Sequence, residues 1–144
     1  MQLKIYIDSI LKLQKLCCRI ITGSKKYVSS APMFTKLNIL TISQIYEKCV
    51  MIFMFKLYNG YLPPILNNMF TLNTSSNMVV TRQAQHFKLP LYKTTNAYNS
   101  LSFKGVKLWN GNYKKFDIQC SIHTFKRSIQ SYLLSLGYNT TFNC

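Results

Sequence analysis

Acidic residues are almost missing. In 144 residues only Asp8, Glu47 and Asp117 carry carboxylates, and they stand far apart along the chain. Two-metal phosphoryl transfer, carboxylate-pair glycosidases and aspartic proteases need two or more converging acids. The chain is therefore expected not to be an enzyme by itself. Glycine is also scarce, and its five scattered positions form no dinucleotide-binding or Walker pattern. A long apolar run is lacking as well. The uncharged stretch from Leu57 to Thr81 is broken by Gly60, Pro63, Pro64 and five asparagines. A transmembrane helix needs about 20 mostly apolar residues, so no membrane span is expected. Lys4, Asp8 and Lys12 interrupt the start, against a secretory signal. Five cysteines is an odd number, and free thiols in a reducing, intracellular compartment are the expectation.

What the chain does have is positive charge. Eighteen Lys plus Arg against three acids give a net charge of +15. Residues 1–72 carry nine basic and two acidic side chains, and residues 73–144 nine and one, so the excess belongs to the whole body. Such an imbalance points to a polyanionic partner. Hydrophobic residues reach 48%, enough for a packed core rather than a disordered tail. The length suits one domain, 1–144.

Periodicity predicts a mainly α fold: a small helical domain with a minor β hairpin. Residues 3–22 read as a helix in which Lys4, Asp8, Lys12, Lys15 and Arg19 form one narrow stripe. Ile7, Ile10, Leu11, Leu13, Leu16, Cys17, Ile20 and Ile21 fill most of its remaining circumference. A helix this apolar is expected to be mostly buried, with one basic ridge showing and Gly23 as its stop. Ser30-Ala31-Pro32 starts a short helix to about Leu37. Thr41-Ile42-Ser43-Gln44 is a capping-box pattern opening a helix over 42–58, with Asn59-Gly60 as its end. From Cys49 to Phe55 that helix has no polar residue, so it must form the centre of the domain or be covered by a missing partner. A short helix follows from Pro64 to Phe70. Residues 71–100 read mostly as loop, with a strand at Phe87–Tyr92 and a partner strand near Leu101–Leu108, hence a hairpin near 87–104. The last helix spans 121–136, capped by Ser121 and ended by Gly137.

Few of these residues form a chemical motif. Cys120 and His123 have half a zinc-site spacing, but Cys17, Cys18, Cys49, Cys144 and His86 supply no second close pair. They read as a buried cysteine before a helix and a surface histidine in its first turn. No metal and no cofactor is expected, and no local signature marks a catalytic cysteine. The basic ridge Lys12, Lys15, Arg19 with Lys25 and Lys26 is the candidate nucleic-acid-binding set, since helix-spaced cations can follow phosphates. Among the aromatics, Tyr92, Tyr98 and Tyr113 lie in polar surroundings and are expected to be exposed.

The string Leu13-Gln14-Lys15…Arg19-Ile20-Ile21-Thr22-Gly23 resembles a segment of jockey-like non-LTR retrotransposon reverse transcriptases, beyond the palm and thumb. Pro32-Met33-Phe34…Leu37-Asn38-Ile39-Leu40 and Phe55–Pro63 resemble the family's next blocks, in the same order. So do Thr81-Arg82, Lys93–Asn96, Phe103–Asn110 and Phe125-Lys126…Tyr132-Leu133. The stretch Trp109-Asn110-Gly111-Asn112 departs from the family, which often has the pattern WN.LP there, and a looser connection into the last helix is expected. The polymerase and endonuclease signatures are not in this stretch. The resemblance implies a non-catalytic, accessory C-terminal region of an RNA-directed DNA polymerase of a mobile element. Its partners would be template RNA or target DNA and the upstream polymerase domain of the parent polypeptide. The alternatives are a relic of a truncated element with no biochemical role and a free-standing basic RNA-binding protein.

Overall fold

The computed structural model describes residues 2–73, 85–98 and 100–138. The chain is mainly α. Its helices are α1 (Gln2–Thr22), α2 (Ala31–Leu37), α3 (Ile42–Tyr58), α4 (Pro64–Asn67), α5 (Thr95–Tyr98), α6 (Leu101–Asn112) and α7 (Ile122–Leu136). A 3₁₀ turn at Tyr113–Lys115 follows α6. The described residues fall into two compact units, one from residues 2–48 with 127–138 and the other from those within 49–126.

Local chemistry sets the helix ends. At the start of α3 the Thr41 N–H donates to Gln44 Oε1 (3.0 Å), while the Gln44 N–H donates to Thr41 Oγ1 (3.4 Å). This reciprocal pair is the capping box read from the sequence. α1, α2 and α3 each end in a left-handed residue: Gly23, Asn38 and Gly60. The next N–H then reaches back five residues, as Ser24 to Arg19 O (3.0 Å), Ile39 to Phe34 O (3.0 Å) and Tyr61 to Lys56 O (2.8 Å). These bonds satisfy carbonyls that the helix leaves open.

In the first unit Cys18, Met33 and Phe34 form a small core, with Leu37 and Tyr138 packed against it. Gln14 braces the turn between α2 and α3: its Nε2 donates to Leu40 O (2.8 Å) and its Oε1 accepts from the Ile42 N–H (3.0 Å). Gln44 also donates through Nε2 to Leu133 O (3.2 Å) and Gly137 O (2.8 Å), closing the end of α7. One expectation fails here. α1 is not mostly buried: Tyr6, Leu13, Ile20 and Ile21 are between 62% and 72% exposed, and Cys18 is its one fully buried residue among those with described side chains. The seven-residue α2 is too short to cover more than one side of a 21-residue helix.

The second unit holds the larger core. Met51, Met54 and Phe55 of α3, Trp109 of α6 and Phe125 of α7 are fully buried. Phe55 stacks on Phe125 with centroids 4.1 Å apart, and Trp109 stacks on Tyr113 at 6.1 Å. The apolar stretch Cys49–Phe55 is thus mostly covered, with Cys49 alone exposed. α6 can lie close to α3 because Gly105 has no side chain; a Cβ there would meet Met54 Sδ at 3.2 Å.

The expected hairpin near 87–104 does not form among the described residues. One isolated antiparallel bridge joins Leu72 to Phe87, and the supposed partner strand is helix α6. The physical reason lies in the burial pattern: Gly105, Val106, Leu108, Trp109 and Asn112 are the buried positions, a helical and not an alternating set. The connection after α6 is also tied down. Asn112 is buried, its Nδ2 donates to Leu108 O (3.0 Å), and Lys115 Nζ donates to its Oδ1 (2.8 Å).

Candidate nucleic-acid interface

The basic ridge lies on α1 and the turn after it, in the first unit. Gly23 ends the helix at φ +63°, and the chain turns through Lys25 and Lys26, where the Val28 N–H donates to Lys25 O (3.1 Å). The turn carries two exposed lysines beside the last turn of the helix. Between them opens a groove of about 530 Å³, lined by Lys12, Leu16, Arg19, Ile20, Gly23, Ser24 and Lys26.

The five candidate cations separate into different roles. Lys12, Arg19 and Lys26 line the groove, and Lys25 is exposed but outside its lining. Lys15 is half-buried, with Nζ 5.7 Å from the centroid of the Tyr138 ring. Its ammonium is thus partly committed to a cation–π contact inside the unit. Arg19 is half-buried as well. Its Nη2 donates to Val28 O at 3.4 Å, and its buried Nε has no hydrogen-bond partner. The long contact to Val28 holds the guanidinium without using its full donor capacity, which leaves it able to take an anion.

Chemically, the groove offers three cations over an aliphatic floor of Leu16 and Ile20. Lys12 and Arg19 are separated by roughly 10 Å along the helix axis. That is about three rises of a nucleic-acid strand at 3.4 Å each. The groove can hold a short run of phosphates.

Other candidate positions land elsewhere. Cys120 Sγ donates to Asp117 O (3.0 Å), and burial, with Asp117 second, pushes its thiol pKa up. His123 is exposed in the first turn of α7. His86 presses edge-on against the Tyr113 ring at 5.3 Å, and burial, then Lys114, lowers its pKa. No group of three metal-binding side chains occurs among the described residues. Tyr98 is 45% exposed as expected, whereas Tyr92 is half-buried with its hydroxyl 2.7 Å from Ser102 Oγ. Tyr113 corrects the expectation outright: it is buried against Trp109. Thr81 and Arg82 lie outside the described residues.

A second set of cations escaped the sequence reading. Lys104, Lys107 and Lys114 are exposed on α6 and the turn behind it. The signal was their spacing of three and seven, visible only once 101–112 is read as a helix.

Comparison with known proteins gives no relative: no family model matches, and neither a curated protein nor a solved structure is significantly similar. No single described helix is long and apolar enough to cross a membrane.

Proposed function

We propose that this chain is the accessory, non-catalytic C-terminal region of a mobile element's RNA-directed DNA polymerase, gripping template RNA or target DNA through its basic surface. The observation that carries the binding half of this reading is the groove in which Lys12, Arg19 and Lys26 converge, in a chain with a net charge of +15. Ordinary solvated faces mix both signs, and this one offers three cations around an open apolar floor. The polymerase half rests on the resemblance of the ordered sequence blocks from Leu13 to Leu133.

The grip is electrostatic and sequence-tolerant. Phosphate contacts fix position and register without reading bases. Fluorescence anisotropy with single-stranded RNA across a salt series tests it. Each phosphate contact adds about 0.7 to the slope of log affinity against log salt. Replacing Lys12, Arg19 and Lys26 by Gln should flatten the slope by roughly 2, equally for unrelated RNA sequences. An unchanged slope in a folded triple variant would reduce the groove to a solvated face. Extending the reading frame upstream tests the polymerase half: paired-aspartate motifs would support it, and stop codons or frameshifts would favour a relic.

A further inference from the structure

On α1 the exposed apolar side chains fall in a pattern. Tyr6, Ile10, Leu13, Cys17 and Ile20 are all exposed and follow spacings of four, three, four and three. At roughly 100° per residue they occupy an arc of about 80°. Leu16 and Ile21, also exposed, border the stripe. A 3.5-residue repeat is the seam by which one helix packs into another. The stripe carries no charge, and its bordering positions Ser9, Gln14, Leu16 and Ile21 carry none either. Lys12, Lys15 and Arg19 lie roughly 150° around the helix from its centre.

We infer that this stripe is a homodimer seam, and that its occupant is α1 of a second copy of the chain. Three observations select a second copy. A partner helix with a complementary charge pattern would find nothing to pair with along uncharged borders. Packing stripe to stripe turns the two basic ridges outward, about two helix diameters apart, which exceeds the screening length of roughly 8 Å at physiological salt. The area also suffices: Tyr6, Ile10, Leu13, Leu16, Ile20 and Ile21, at 47% to 72% exposure, present on the order of 700 Å² per copy, close to the roughly 800 Å² per side of a standard interface. The antiparallel orientation is favoured. It opposes the two helix dipoles and sends the cation-rich ends with Arg19, Lys25 and Lys26 to opposite ends of the pair. The dimer then presents one basic ridge, Lys12, Lys15 and Arg19, on each outer side, while the seam covers Ile20 and borders on Leu16 at the floor of each groove.

Two readouts test this on the intact chain. Sedimentation velocity from 1 to 100 µM should show a monomer–dimer equilibrium. Maleimide labelling, followed by peptide mass spectrometry with a non-thiol reductant present, should slow several-fold at Cys17 over that range. Cys49, exposed but outside the stripe, should label at a constant rate and serves as the internal control. Leu13→Asp with Ile20→Asp should be monomeric with unchanged circular dichroism, while Lys12→Gln with Lys26→Gln should dimerise like the wild type. A monomer at 100 µM with constant Cys17 labelling overturns the inference. So does a dimer that survives the aspartate pair, or a monomer whose stripe binds anionic phospholipid vesicles instead. Should the aspartate variant misfold, Leu13→Ser and the wild-type Cys17 labelling decide the matter.

Discussion

Asn110 holds Phe87 by its backbone from both sides. The Phe87 N–H donates to Asn110 Oδ1 (3.0 Å), and Asn110 Nδ2 donates to Phe87 O (2.8 Å). A side-chain amide thus takes the place of a neighbouring strand, and pins an irregular segment to α6. Phe87 can then bury its ring against Trp109 and Phe70, at 6.3 and 6.2 Å.

The clamp should be sensitive to single atoms. Asn110→Ala leaves a donor and an acceptor of Phe87 unanswered, at a cost of about 2 kcal/mol. Asn110→Asp keeps the acceptor but sets a carboxylate oxygen against the Phe87 carbonyl, so it should fall at or below Ala. Urea midpoints of the three proteins should follow that order.

Lys15 should behave unlike the cations that line the groove. Its ammonium faces Tyr138, so Lys15→Gln should lower stability by about 0.5–1 kcal/mol. It should flatten the RNA salt slope less than Lys12→Gln does. Equal slopes for the two variants would remove the distinction drawn between them.

His86 gives the fold a pH dependence with a definite sign. Burial lowers its pKa in the folded state, so the unfolded chain binds the proton more readily. Its contribution is present above the ordinary histidine pKa of about 6.5 and is lost as pH falls below it. Denaturation midpoints at pH 7.5 and pH 5 should differ, and His86→Gln should narrow the difference.

Gly105 marks where α3 and α6 meet. Gly105→Ala brings a Cβ to 3.2 Å from the end of the flexible Met54 side chain. Helix propensity gains about 1 kcal/mol, so the net change should stay within about 1 kcal/mol of zero. Gly105→Val has no such room and should cost 2 kcal/mol or more. Thermal melts of the two variants should separate clearly.

How much of this was legible in the residues depended on the range of the forces involved. The capping box at Thr41–Gln44 and the left-handed stop at Gly23 are decided within a few residues, and both appear as read. The hairpin was misread because Leu101, Phe103, Val106 and Leu108 alternate locally, while Gly105 and Asn112 conceal a helical buried face. Nothing in those side chains says that Gly105 is a contact point and not a turn. The exposure of α1 was not legible either, since burial depends on what comes to cover a helix. For the ridge, spacing placed Lys12, Lys15 and Arg19 on one side of α1. Only the position of Tyr138 shows that Lys15 has another occupation.

The methionines of the second unit carry a consequence for oxidative stress. Met51 and Met54 have no exposed surface, while Met69 is 64% exposed. A mild peroxide should convert Met69 to the sulfoxide before Met51 and Met54 and leave the fold intact. The thioethers of Met51 and Met54 become reachable only during an opening of the core, and a polar sulfoxide on Met54 would not fit back against Gly105. An opening during which one of these thioethers is oxidised would hinder the core from closing again. The ratio of sulfoxide at Met51 and Met54 to that at Met69 would serve as a clock of how often the core has come apart.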